Sequence, residues 1–192
     1  MERILFIDSC SREDSRTRRL AQRLLKGLDG DSHTLLTDGF VSPMTGAEAA
    51  KRDELIAKGA LNDPLLRYAR LFAAADEIVV AAPYWDLSFP ASLKALLEWV
   101  SAVGVTFTYD EKGVPHGLCK ARRLWYVTAA GGADQPLEFG YGYVKALCER
   151  HFGIPETRLV MAQGLDLEGA DAEAVLSEAE KRIDAEVKEL GE

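Results

Sequence analysis

The stretch from Ile78 to Val100, IVVAAPYWDLSFPASLKALLEWV, constrains this chain more than any other. Its opening residues, Ile78 to Ala82, are apolar, uncharged and rich in β-branched side chains, the pattern of a strand buried on both faces. Pro90 then stands where proline is tolerated at a helix start, and Leu93, Leu96, Leu97 and Val100 recur at helical spacing. Strand, aromatic loop and helix in that order belong to an open α/β sheet. In such a sheet the loop leaves the carboxyl end of its strand, where ligands bind. Tyr84 and Trp85, beside Pro83, suit a flat partner.

Four further segments read as strands: Arg3–Asp8, the weaker Ser32–Thr37, Leu124–Thr128 and Arg158–Gln163. Helical patterns fall between them at Thr17–Leu28, Ala47–Lys58, Leu65–Ala75, Ser92–Val103, Tyr143–Phe152 and Asp171–Leu190. Alternation of this kind implies parallel pairing, right-handed crossovers and helices on both faces. The expected fold is α/β: a flavodoxin-like three-layer sandwich with five parallel strands in the order 2-1-3-4-5. Two insertions depart from the simple repeat. Phe40–Asn62 is expected to fold over a sheet edge, with room for an extra helix. Gly104–Leu118 reads as a short extended piece with turns.

A length of 192 residues suits one domain, taken as 1–192. The net charge of −8 argues against nucleic acid as a partner, because phosphate backbones require a basic surface. No apolar run approaches the roughly 20 residues of a membrane span, so no membrane partner is expected. The opening MERILFID reads as a strand rather than a signal peptide. Cys10, Cys119 and Cys148 form no C-x-x-C pair and suit a reducing cytoplasm. His33, His116 and His151 are scattered, so no metal site is expected.

Three loops leave the carboxyl ends of the first, third and fourth strands. Ser9–Thr17, SCSREDSRT, offers hydroxyls at Ser9, Ser11, Ser15 and Thr17, arginines at 12, 16 and 18, and the amides of a helix start. Ser15 would also serve as a plain helix cap. The loop has neither the dinucleotide Gly-x-Gly-x-x-Gly nor a P-loop lysine, so it suits a single terminal phosphate. In Pro83–Ser88, Tyr84 and Trp85 either flank a ring or pack in a core or interface. After the fourth strand, Thr128-Ala129-Ala130-Gly131-Gly132 permits close backbone approach, as a plain turn would too. A ligand with a phosphate at one end and a flat polar ring at the other would touch all three. FMN has that shape.

The chain resembles the FMN-dependent NAD(P)H azoreductases and quinone oxidoreductases of the flavodoxin-like superfamily. The resemblance lies in Ser9 with Ser15-Arg16-Thr17, Pro83-Tyr84-Trp85-Asp86-Leu87 with Ser92-Leu93-Lys94, Gly104-Val105-Thr106-Phe107-Thr108-Tyr109, and Gly131-Gly132. It implies phosphate contacts from Ser9, Ser15, Arg16 and Thr17. It implies ring contacts from Pro83, Tyr84, Trp85, Asp86 and Leu87, and from Thr128, Ala129, Ala130, Gly131 and Gly132. It also implies a homodimer with its active site at the interface. Asp86 stands where the family commonly has asparagine, and Ala129-Ala130 where it often has Ser-Arg. An ionised Asp86 cannot donate a hydrogen bond, and near the pyrimidine end it would disfavour an anionic reduced flavin.

The resulting expectation is a hydride relay from NADH or NADPH to FMN and then to a quinone or azo compound. The flavin carries the chemistry, so no catalytic side chain is assigned. Trp85, Tyr109 and Tyr143 are the candidates for an aromatic substrate slot. Two other readings stay open: a flavodoxin-type single-electron carrier, and a flavin-free regulatory dimer on the same fold.

Overall fold

The computed structural model describes residues 2–191. In chain order the elements are β1 (Arg3–Asp8), α1 (Arg16–Gly27), β2 (Asp31–Leu36), α2 (Gly46–Ala57), α3 (Arg67–Ala74) and β3 (Glu77–Ala81). There follow α4 (Ala91–Val100), β4 (Phe107–Tyr109), β5 (Pro115–Gly117), β6 (Arg123–Ala129), α5 (Tyr141–Leu147), β7 (Glu156–Ala162) and α6 (Ala172–Leu190). The five long strands form one parallel sheet in the order β2-β1-β3-β6-β7. Counting those strands alone, this is the expected 2-1-3-4-5. The order reverses between β1 and β3, which places their carboxyl ends on either side of one crevice.

Strand alternation divides the core into two layers. Ile4 and Phe6 of β1, Val79 and Ala81 of β3, and Trp125 and Val127 of β6 pack with Leu20 and Leu24 of α1 and with Leu176 and Ile183 of α6. The alternate residues Leu5, Ile7, Ile78, Val80, Leu124 and Tyr126 pack with Phe72 of α3 and Leu93, Leu96 and Leu97 of α4. Every residue of β3 is buried, as its apolar run requires. β2 lies at the edge and is almost wholly exposed, which is why its sequence signal is weak.

Three expectations are corrected. The helix through Leu93 stops at Val100 rather than Val103, because polar side chains take its last carbonyls. Ser101 Oγ donates to Leu97 O at 2.7 Å and Thr106 Oγ1 to Val100 O at 2.7 Å. The Phe40–Asn62 insertion does carry a helix, α2, closed at its start by a Thr45–Glu48 capping box. The insertion leans on α4, where Trp99 Nε1 donates to Ser42 O at 2.9 Å ahead of α2 and Arg52 Nη1 of α2 donates to Glu98 O at 3.3 Å, and it leaves β2 exposed. The helix expected over Tyr143–Phe152 begins at Tyr141 and widens into a π-turn over Cys148–Phe152, ended by Gly153 at φ 71°.

Within Gly104–Leu118, β4 and β5 pair as an antiparallel hairpin that rests on this π-turn. Gly117 fits only because it has no side chain; a Cβ there would run into the backbone of Phe152 and Gly153. We predict that Gly117→Ala displaces the hairpin and destabilises the protein by about 1–3 kcal/mol in urea unfolding, the range for an overpacked site.

Candidate functional site

The first loop is built around one arginine. Asp8, at the end of β1, is 3 % exposed; its Oδ2 accepts from Arg18 Nε at 2.6 Å and its Oδ1 from the Cys10 amide at 2.9 Å. The same guanidinium donates to the carbonyls of Cys10 at 2.5 Å, Arg12 at 2.6 Å and Glu13 at 3.1 Å. In a trans peptide the carbonyl and the following amide point in opposite directions. Turning those three carbonyls onto Arg18 therefore aims the amides of Ser11, Glu13 and Asp14 away from it. Among the described residues, none of those amides donates to the protein. Ser15 caps α1 by accepting from Arg18 N at 3.3 Å, and the first-turn amides of Arg16 and Thr17 stay open beyond it. Outward amides at a helix start suit an anion.

A cavity of about 260 Å³ opens at the carboxyl ends of the strands. It brings together Ser15, Arg16 and Thr17 from the first loop, Pro83, Tyr84 and Trp85 from the second, and Ala129, Ala130 and Gly131 from the third. The second loop is braced: Tyr84 OH donates to Pro136 O at 3.0 Å and Ser88 Oγ to Phe139 O at 2.8 Å. Its tip, Asp86-Leu87, forms a two-residue turn with φ 48° and 70°, closed by reciprocal Trp85–Ser88 backbone bonds of 3.1 and 2.7 Å. Positive φ at both positions is the type I′ geometry, natural for asparagine or aspartate and strained for leucine.

The remaining expected residues stand elsewhere. Ser9 is fully buried and its hydroxyl donates to Ala81 O at 2.6 Å, so its side chain braces β1 against β3 instead of facing the cavity. Thr128 is buried on the sheet face it shares with Tyr126, and its Oγ1 has no hydrogen-bond partner among the described residues. Asp86 and Leu87 lie at the turn tip outside the lining, and Gly132 is engaged with Gly164, whose amide donates to Gly132 O at 2.8 Å. Tyr109 is 50 % exposed on β4 and packs edge-on against Phe107. Tyr143 lines a separate groove between α2 and α4 and packs on Phe89. The expected slot of Trp85, Tyr109 and Tyr143 is therefore not assembled within one cavity of this chain.

The structure adds a fourth loop. Leu165 and Asp166, just beyond β7, line the same cavity, as does Asp14. Arg16 Nη1 meets Asp166 Oδ1 at 2.7 Å, bridging the first loop to the fourth. Gly164, at φ 78°, makes the turn that brings Asp166 there. That glycine after the fifth strand was the available signal, equivalent to the glycines after the fourth.

Comparison with known proteins agrees with this geometry. The sequence profile of the flavodoxin-like fold matches residues 2–187, and the chain belongs to that family. It is 39 % identical over 120 residues to an FMN-dependent NADH:quinone oxidoreductase of Clostridium beijerinckii, an alignment covering 62 % of this chain and 60 % of the relative. The chain thus spans less than two thirds of that relative's length. A Coprothermobacter proteolyticus protein of the same name is 29 % identical over 99 % of this chain and all of its own. Among solved structures, an FMN-dependent NADH-azoreductase from Bacillus anthracis in complex with FMN superposes with a TM-score of 0.82 at 21 % identity, covering all of both chains. At that identity the likeness shows the fold.

Arg18→Met leaves the buried Asp8 carboxylate unpaired and should cost about 3–5 kcal/mol in urea unfolding, with Arg18→Lys recovering part of it. Burial pushes the thiols of Cys10, Cys119 and Cys148 up to about 12, so each is held neutral at physiological pH. A thiol reagent such as Ellman's should therefore label the native protein slowly through about pH 9, and all three cysteines readily once urea unfolds it.

Proposed function

We propose that this protein is an FMN-dependent oxidoreductase that passes hydride equivalents from NADH or NADPH to quinones or azo compounds. The observation that carries the reading is the convergence of an anion-suited loop, an aromatic loop and a glycine loop on one cavity at the switch point of the sheet. The names of the relatives support FMN as cofactor, NADH as donor and quinones as acceptors.

The donor set fits FMN. The open amides of the first loop, the Ser15 hydroxyl and the Arg12 and Arg16 guanidinium groups supply what a phosphate monoester needs. Tyr84 and Trp85 offer flat apolar surface, and Gly131 presents bare backbone to the polar edge of a ring. When bound, FMN supplies the hydride chemistry, accepting from the nicotinamide and donating to the acceptor. The chain's own part is to position and to exclude water. Pro83 and the tethers of Tyr84 and Ser88 hold the second loop in place, so the ring site is preformed. No side-chain acid or base is required by this scheme.

Trp85, Leu87, Tyr109 and Phe139 are large apolar side chains left exposed, which suits burial against a second copy of the chain. We place the substrate slot at such a homodimer interface, with Trp85 and Tyr109 contributing from different protomers. The three reduced cysteines suit a cytoplasmic setting. No helix among the described residues is long and apolar enough to cross a membrane.

FMN-loaded protein should oxidise NADH in the presence of a small quinone such as menadione. Trp85→Ala should lower kcat/KM for the quinone by about tenfold, the loss of one aromatic contact of roughly 1.4 kcal/mol. Loaded protein that gives no turnover with either nicotinamide would overturn the proposal.

A further inference from the structure

We propose that Asp166 is a specificity-determining residue of the cavity: it is the internal anion that a ligand phosphate must displace from Arg16. It thereby sets how strongly the site prefers a phosphorylated flavin over an unphosphorylated one. The inference rests on the flavin reading given above.

Arg16 is the first residue of α1, and Asp166 follows β7; both line one cavity, and the 2.7 Å pair between them crosses it from the first loop to the fourth. The carboxylate is held there from behind. Asp166 N donates to Gly131 O at 2.9 Å, and the second carboxylate oxygen lies so close over Gly131 that any Cβ on that residue would collide with it. Arg16 is the only described donor to the Asp166 side chain. Arg18 differs in this respect, since its guanidinium is committed to Asp8 and three carbonyls and is not available for a ligand.

The charges at this end nearly cancel. Two arginines, Arg12 and Arg16, and two aspartates, Asp14 and Asp166, line the cavity, and of the two arginines it is Arg16 that is held by a carboxylate. The Arg16–Asp166 pair is largely solvated, with side chains 42 % and 63 % exposed, and such pairs contribute little. A phosphate monoester carries more charge than a carboxylate and makes stronger bonds to a guanidinium, so it can take Arg16 by exchange. After the exchange Asp166 remains beside the phosphate as an unpaired like charge. Riboflavin has no phosphate and leaves the pair undisturbed. The penalty imposed by Asp166 therefore falls on FMN alone.

The test is a fluorescence-quenching titration of flavin-free protein with FMN and with riboflavin, for the wild type, Asp166→Asn and Asp166→Ala, with thermal melts to confirm folding. Removing the charge should tighten FMN about threefold to fivefold, the effect of one partly screened charge, and leave riboflavin within about twofold. The preference should shrink again toward its wild-type value as salt is raised. FMN affinity that is unchanged or weaker in both variants overturns the inference, as does an equal change for both flavins, which would make Asp166 a loop support only. A wild-type protein that binds neither flavin overturns the flavin reading itself and this inference with it.

Discussion

Arg18 and Asp8 form the contact on which the site depends. A carboxylate at the end of a central strand is nearly removed from water, and it is tolerable there because a guanidinium meets it at 2.6 Å. The same guanidinium gathers three carbonyls of one loop, those of Cys10, Arg12 and Glu13, which a lysine could not do with its single point of charge. Peptide planarity then converts an inward array of carbonyls into an outward array of amides. One buried ion pair thus turns SCSREDS from a polar connection into a surface suited to an anion.

The sheet supplies the rest of the geometry. Because β1 and β3 are neighbours at the point where strand order reverses, the loops that follow them part and leave a crevice. β6 and β7 carry their own loops to the same rim. There the Gly131 and Asp166 backbones are joined, and the Asp166 carboxylate reaches back to Arg16. Four separated segments, from Ser11 to Asp166, become one wall.

Much of this is legible in the amino-acid sequence. Ile78–Ala82 announces its strand because burial on both faces leaves no place for a polar residue, and the strand order follows from alternation with helices. β2 is faint because an edge strand exposed over most of its length needs no apolar pattern. Helix ends are read less well, since the stop after Val100 depends on Thr106 reaching back from the following loop. Within the site, loop membership is readable and side-chain direction is not. Ser15, Arg16, Tyr84 and Trp85 reach the cavity; Ser9 belongs to the same loop yet points at Ala81. Asp86 and Leu87 follow Trp85 directly, but a tight turn carries them past the lining. The partnership of Arg16 with Asp166 joins residues 150 positions apart, and nothing local to either one signals it.

The central claim is that these loops grip one phosphorylated flavin. Isothermal titration calorimetry of flavin-free protein with FMN tests it most directly. The account predicts saturable binding of one flavin per chain, with riboflavin bound more weakly because it cannot use the first loop. Absence of binding heat for FMN across a range of temperatures, or equal affinity for the two flavins, would contradict it.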